Sequence, residues 1–362
     1  MRRRTYVATV GTALFGGCLG SGGREGRKSD AGTGTPTGTA GSGGDRPVGF
    51  ERQWKADLGI DRIGGVDIPL AMQDETVYTT YERGLAALGL ADGTKRWSGP
   101  TPERLDGLTA DADGLYAMDT TGQLIRIDAG DGSVRWERDG GGQETLAYSQ
   151  LFTTSDHVGA KTPDGIVVHE KAGGRRTATL AESGHLLGAY DGQFVVDDGF
   201  DLAASGPDGT TSWRIDSVGL SSTATTTEST LLGPGYDGVV AVDLAAGEKR
   251  WETPVDADLL NADAVSTNET ALVNAGFEGE PMYAFDVTSG DVLWQHSNEG
   301  LESFPSVALD SAFVVEDGGE AQARDHRTGE VRDSFSTRGF AGTVGRGRTF
   351  VGTDFDVEAY RV

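Results

Sequence analysis

Short runs of β-branched and aromatic residues, closed off by Asp or Gly, set the rhythm of this chain. Thr76-Val77-Tyr78-Thr79-Thr80-Tyr81, Gln193-Phe194-Val195-Val196, Ala312-Phe313-Val314-Val315 and Arg348-Thr349-Phe350-Val351 are examples. Such runs predict strands, because branched and aromatic side chains fit a pleated, half-buried surface. No window after residue 50 carries apolar residues at helical spacing, so the pattern predicts an all-β domain. One longer unit orders the runs. Residues 241–251 (AVDLAAGEKRW) recur as 284–294 (AFDVTSGDVLW) and, in worn form, as 87–97, 126–136 and 203–213, with Gly four residues before Trp in every copy. The segment up to the Asp predicts a strand, the Gly-containing tetrad a tight turn, and the Trp segment a second strand. Gly suits the turn because a Cβ would clash at positive φ.

The period decides the architecture. Trp54, Trp97, Trp136, Trp213, Trp251 and Trp294 are separated by 43, 39, 77, 38 and 43 residues, so the 77 is two periods with one Trp missing. Counting four residues on from Gly173 places the missing site at Thr177, and a further copy at 323–333 ends in Asp333. All six tryptophans of the chain therefore occupy one repeat position. Units run from Val66 to Trp97, Leu105 to Trp136, Thr145 to Thr177, His185 to Trp213, Leu220 to Trp251, Leu259 to Trp294 and Phe304 to Asp333. An eighth begins near Gly339 and stops at Val362 without its last strand, which Phe50 to Leu58 supplies from the other end. About forty residues suit four short strands. The reading is an eight-bladed β-propeller of four-stranded antiparallel blades, its last blade closed by the N-terminal strand so that no sheet edge stays open. Each indole can bury about 150–250 Å², worth about 4–6 kcal/mol as an upper bound, and the blades lacking one are expected to be softer.

Residues 1–18 (MRRRTYVATVGTALFGGC) join three arginines to a short apolar run and the chain's one cysteine, the layout of an export signal. Arg2 to Val7 resembles a twin-arginine signal, and Phe15-Gly16-Gly17-Cys18 a lipobox with Phe where Leu is usual; Cys18 is the expected lipidation site. Residues 19–49, rich in Gly, Ser and Thr, cannot offset their ordering entropy by burial and predict a disordered tether. Residues 50–362 form the propeller. Its 24 basic against 53 acidic residues give −29, within a chain total of −25. So acidic a surface repels nucleic acid and anionic lipid, leaving no nucleic-acid partner and membrane attachment through the lipid anchor only. It suits a salty medium, where screening removes self-repulsion.

Motifs that could carry chemistry are few. Gly233-Pro234-Gly235-Tyr236-Asp237-Gly238 matches G-x-G-x-x-G, but it lies between two strands with no helix behind it and predicts a hairpin turn. His157, His169, His185, His296 and His326 have no ligand spacing, and Asp111-Ala112-Asp113-Gly114 lacks the other ligands of a calcium loop. Asn268-Glu269-Thr270 is a glycosylation sequon in a strand-connecting loop. No residue is assigned a catalytic, cofactor-binding or metal-binding role.

The A-x-D-x-x-T-G-x-x-x-W unit resembles the repeat of the pyrroloquinoline-quinone, or quinoprotein alcohol dehydrogenase, propeller superfamily across the whole of residues 50–362. The resemblance implies that each Trp packs on a peptide of the adjacent blade. The superfamily contains quinone-dependent dehydrogenases and cofactor-free propellers, among them a lipoprotein that scaffolds outer-membrane protein assembly. A dehydrogenase of this type has a longer chain, a vicinal disulfide, a Trp beneath the quinone and a Ca²⁺ site; here one cysteine forbids the disulfide and every Trp belongs to the repeat. Acidity, paired arginines, lipobox and tether together resemble surface lipoproteins of haloarchaea, cells with no outer membrane. The expectation is a monomeric, non-catalytic, cofactor-free scaffold at the extracellular face of the cytoplasmic membrane, binding a protein or polymer at one rim. The alternative is a dehydrogenase or small-ligand binder at the central channel mouth.

Overall fold

A computed structural model describes residues 50–58, 70–81, 84–139, 150–221, 223–227, 229–257, 259, 262–275, 281–297, 304–309, 312–317, 320–336, 342–345, 348–352 and 356–361. These residues form eight four-stranded antiparallel sheets. Seven are consecutive in sequence and are called blades 1 to 7: residues 70–100, 105–138, 151–181, 185–215, 225–254, 263–297 and 304–336. Blade 8 combines three strands within 342–361 with Glu51–Asp57 as its outermost strand. The pairing runs Glu51 with Arg361, Trp54 with Ala359 and Asp57 with Asp356. This is the expected closure: each end of the folded region supplies the partner that the other would lack.

The first strands of successive blades lie side by side around the axis, Leu70–Gln73 beside Leu105–Asp111 and Leu105–Asp111 beside Leu151–Thr153. Middle strands are sandwiched between neighbouring blades and buried on both faces, as in Gly84–Gly89, Gly114–Asp119 and Gly238–Asp243. Outermost strands such as Lys95–Pro100 and Val292–Ser297 alternate with solvent. The core is accordingly a set of layers between blades. One holds Trp54, Ala56 and Val357 of blade 8 against Val77, Leu88 and Leu90 of blade 1. Another holds Ile166 and Val168 of blade 3 against Leu186, Phe194 and Val196 of blade 4.

Candidate functional site

Each indole docks on the next blade in the same way. Trp54, Trp97, Trp136, Trp213, Trp251 and Trp294 donate Nε1–H to the carbonyls of Leu90, Ala129, Lys171, Leu244, Val287 and His326, at 2.8–3.2 Å. Three residues past each acceptor stands a glycine at φ between +67° and +78°: Gly93, Gly132, Gly174, Gly247, Gly290 and Gly329. Its missing Cβ leaves room for the ring; a Cβ on Gly290 would meet Trp251 at 2.5 Å. A bulge beside the Trp, as between Ala241 and Val242 against Trp251 and Lys249, turns the side chain toward the neighbour. The repeat Asp closes the receiving turn: Asp243 Oδ1 accepts from the amides of Ala245 and Ala246, while Oδ2 pairs with Arg250 at 2.6 Å. The Ala246 amide, ahead of Arg250, holds the Asp243 carboxyl below its usual range.

Two blades break the rule, and the structure corrects the sequence register at one of them. In the turn before the outermost strand of blade 3 the glycine at positive φ is Gly174, not Gly173, and the residue facing Val168 at the Trp position is Ala178, not Thr177. Thr177 instead donates its hydroxyl to Val168 O. The turn that should receive an indole there, in blade 4, is one residue shorter: Gly209 N–H reaches Gly206 O, three residues back, where Gly247 and Gly290 reach four back. Asp333 of blade 7 faces blade 8, whose third and fourth strands, Asp356–Arg361 and Glu51–Asp57, come from opposite ends of the folded region and are joined by no turn. Asp333 Oδ2 accepts from Phe50 N at 2.6 Å, and Phe50, Phe335 and Tyr360 pack as an aromatic trio with centroids 4.4–6.3 Å apart. An indole is thus present wherever the next blade offers a five-residue turn, and missing where it does not.

A buried charge that the sequence did not flag joins blades 2 and 3. Lys171, 4% exposed, donates to Asp111 and to Thr154 O, lies 3.3 Å from Ser155 O and 3.6 Å from Asp113, and sits over the Tyr116 ring. The buried Tyr116 hydroxyl has no hydrogen-bond partner among the described residues, and burial pushes its ionisation up. Asp111 and Asp113 therefore serve this lock. On the innermost strands, Thr225 and Ser266 hydroxyls meet at 3.0 Å, and burial pushes Asp263 up to about 7.

The histidines stay dispersed, and among the described residues no three His, Cys, Asp or Glu side chains group as metal ligands. His326 Nδ1 lies 2.9 Å from the Thr270 hydroxyl and His169 Nδ1 3.0 Å from Gly174 O. Gly233 to Gly238 is a hairpin, closed by Gly235 N–H to Gly238 O. Asn268 is exposed between two strands of blade 6, while Thr270 of its sequon is buried. Cys18 and the tether lie outside the described residues.

A family model described as outer membrane protein assembly factor BamB matches residues 48–191 and 198–355. A curated protein of that name from Alkalilimnicola ehrlichii is 32% identical over 95 residues, 24% of this chain and 24% of the relative's own length. Among solved structures, BamB from Moraxella catarrhalis superposes with a TM-score of 0.66 at 17% identity, over 85% of this chain and 98% of its own. The computationally designed Ika8 protein gives 0.65 at 14%, over 86% and 99%. Quinohemoprotein alcohol dehydrogenase from Comamonas testosteroni gives 0.59 at 12%, over 86% and 76%. These superpositions speak for the fold, which a scaffold and a dehydrogenase share. The residues present do not fit a quinone: all six indoles are held in inter-blade docks, and the chain has one cysteine. Since the family model matches residues 48–191 and 198–355, most of the chain, the chain belongs to the PQQ-like repeat family of outer membrane protein assembly factor BamB.

Proposed function

We propose that this propeller is a non-catalytic, lipid-anchored scaffold that holds a protein partner at one rim, on the outer face of the cytoplasmic membrane. The observation that carries the reading is the use of every indole for blade docking inside a family described as an assembly factor. The side chains that a quinone site would need are spent on rigidity, and rigid inter-strand loops are what a docking surface requires. Cys18 carries the lipid, the tether spans the gap to the membrane, and the acidic monomer meets the membrane only through that anchor. Asn268, exposed between two strands of blade 6, is a glycan acceptor.

The test is to purify the full-length lipidated protein from its own membranes at high salt. A protein partner should co-purify at a fixed ratio, Cys18→Ala should release the chain into the medium, and intact mass should fall on Asn268→Gln. A bound quinone in the absorbance spectrum and mass, with no co-purifying protein, would overturn the scaffold reading.

A further inference from the structure

One rim of blades 4 and 5 displays two aromatic side chains on loops that are held rigidly. Phe200 is 74% exposed and Tyr236 67%; the other large exposed apolar residues among those described are Val and Leu on outermost strands. Phe200 sits at the tip of 198–201, which joins the second and third strands of blade 4. Asp198 Oδ1 accepts from Phe200 N at 3.3 Å and Asp201 N at 3.1 Å, and buried Asp197 accepts from Gly199 N and Leu220 N, both at 2.5 Å. Arg214 clamps the loop from below, bonded to Asp198 at 2.7 Å and Asp201 at 2.6 Å. Ser217, held at φ +58°, donates its N–H to Asp201, and the Tyr236 hydroxyl donates to Gly199 O. The network fixes the backbone and leaves the Phe200 ring in water, an arrangement that costs stability in the free protein and cuts the ordering cost of a complex.

Beside this loop a cleft of about 200 Å³ opens between blades 3 and 4, lined by Leu180, Glu182, Val196, Asp198, Ala203 and Arg214. It lies at one of the two interfaces that lack a docked indole. The connecting segments 182–184, 198–201, 216–224 and 235–237 carry Glu182, Asp198, Asp201, Asp216 and Asp237 and no lysine or arginine.

We propose that this rim is the docking surface, and that its occupant is a basic segment of a partner protein, packing an apolar side chain on Phe200 and Tyr236 and directing Lys or Arg at Glu182 and Asp237. Exposed aromatics with an acidic surround are complementary to such a segment, and large rings are the usual anchors of interfaces. The inference rests on the scaffold reading and names its surface.

The test places a photo-crosslinking benzoylphenylalanine at residue 200, 236, 292 or 331 in turn, in the full-length lipidated protein in its own membranes. Val292 and Val331, 45% and 48% exposed, serve as outer-strand controls. Positions 200 and 236 should capture the same protein segment, of net positive charge, with the controls silent. Glu182→Lys with Asp237→Lys should cut capture at least tenfold without changing the melting temperature. Capture from 292 or 331 alone, from all four alike, or of an acidic segment or a glycan overturns this rim and leaves the scaffold reading standing. Silence at all four, together with no co-purifying protein, overturns both.

Discussion

Lys171 shows how much one side chain can hold in a fold made of repeated units. Its ammonium is buried between blades 2 and 3 with Asp111, Asp113 and two carbonyls as partners. Removing one partner of a buried pair strands the other, at about 3–5 kcal/mol. Lys171→Ala should therefore lower the unfolding free energy by about that amount in urea titrations, and Lys171→Met with Asp111→Leu should recover most of it; equal losses in both variants would sink the account. Asp263 makes the opposite case, because its folded-state value of about 7 lies above the ordinary carboxylate value near 4. The unfolded chain releases this proton first. Stability contributed at the site is thus full below pH 4, falls as pH climbs toward 7, and stays low above, by at most about 4 kcal/mol. Asp263→Asn should raise the melting temperature at pH 8 and leave it nearly unchanged at pH 4, and a pH-independent difference would refute the assignment.

At the scale of elements, the dock and the turn that receives it behave as one unit. Trp251→Ala deletes a large ring, a hydrogen bond to Val287 and the filling above Gly290, and should cost about 3–5 kcal/mol. Ala178→Trp alone should gain nothing, since the 206–209 turn is a residue short of presenting an acceptor. Combined with one residue inserted between Gly206 and Gly209, it should raise the melting temperature by several degrees. Stabilisation by the single substitution would show that turn length does not matter. The period, the eight blades and the closing strand are legible in the chain because Trp marks one position per unit and mid-blade strands are apolar on both faces. The Thr177 register slipped where that mark was missing: Gly173 and Gly174 are adjacent, and only the docking of Trp136 on Gly174 tells them apart. The Lys171 lock and the rim of Phe200 and Tyr236 were illegible for a different reason. Lys171 lies 60 residues from Asp111 and Tyr236 lies 37 from Gly199, pairs that meet only through blade-to-blade packing, so no local spacing announces them.

The whole molecule is a highly charged ring closed by one noncovalent seam. A net −29 on residues 50–362 works against compaction, and shortening the screening length from about 10 Å at 0.1 M salt to about 3 Å at 1 M removes most of that repulsion while barely touching buried layers. The melting temperature should therefore rise steeply between 0.1 and 2 M KCl, and a flat response would mean that self-repulsion is minor. The seam itself can be tested with composition held constant. Glu51 lies opposite Arg361, so a short turn can join the ends. New ends cut in the 206–209 turn leave blade 4 built from three strands of one end and one of the other, as blade 8 is now. New ends cut in the 182–184 connection leave every blade continuous and the ring held shut only by the face between blades 3 and 4, where Ala178 replaces an indole. Both permutants contain the same strands and the same layers. If pairing across the seam is what keeps the ring shut, the first should melt near the parent and the second several degrees lower, with light scattering rising as its unclasped face opens. Equal melting of the two would show that face-to-face packing closes the ring without the clasp.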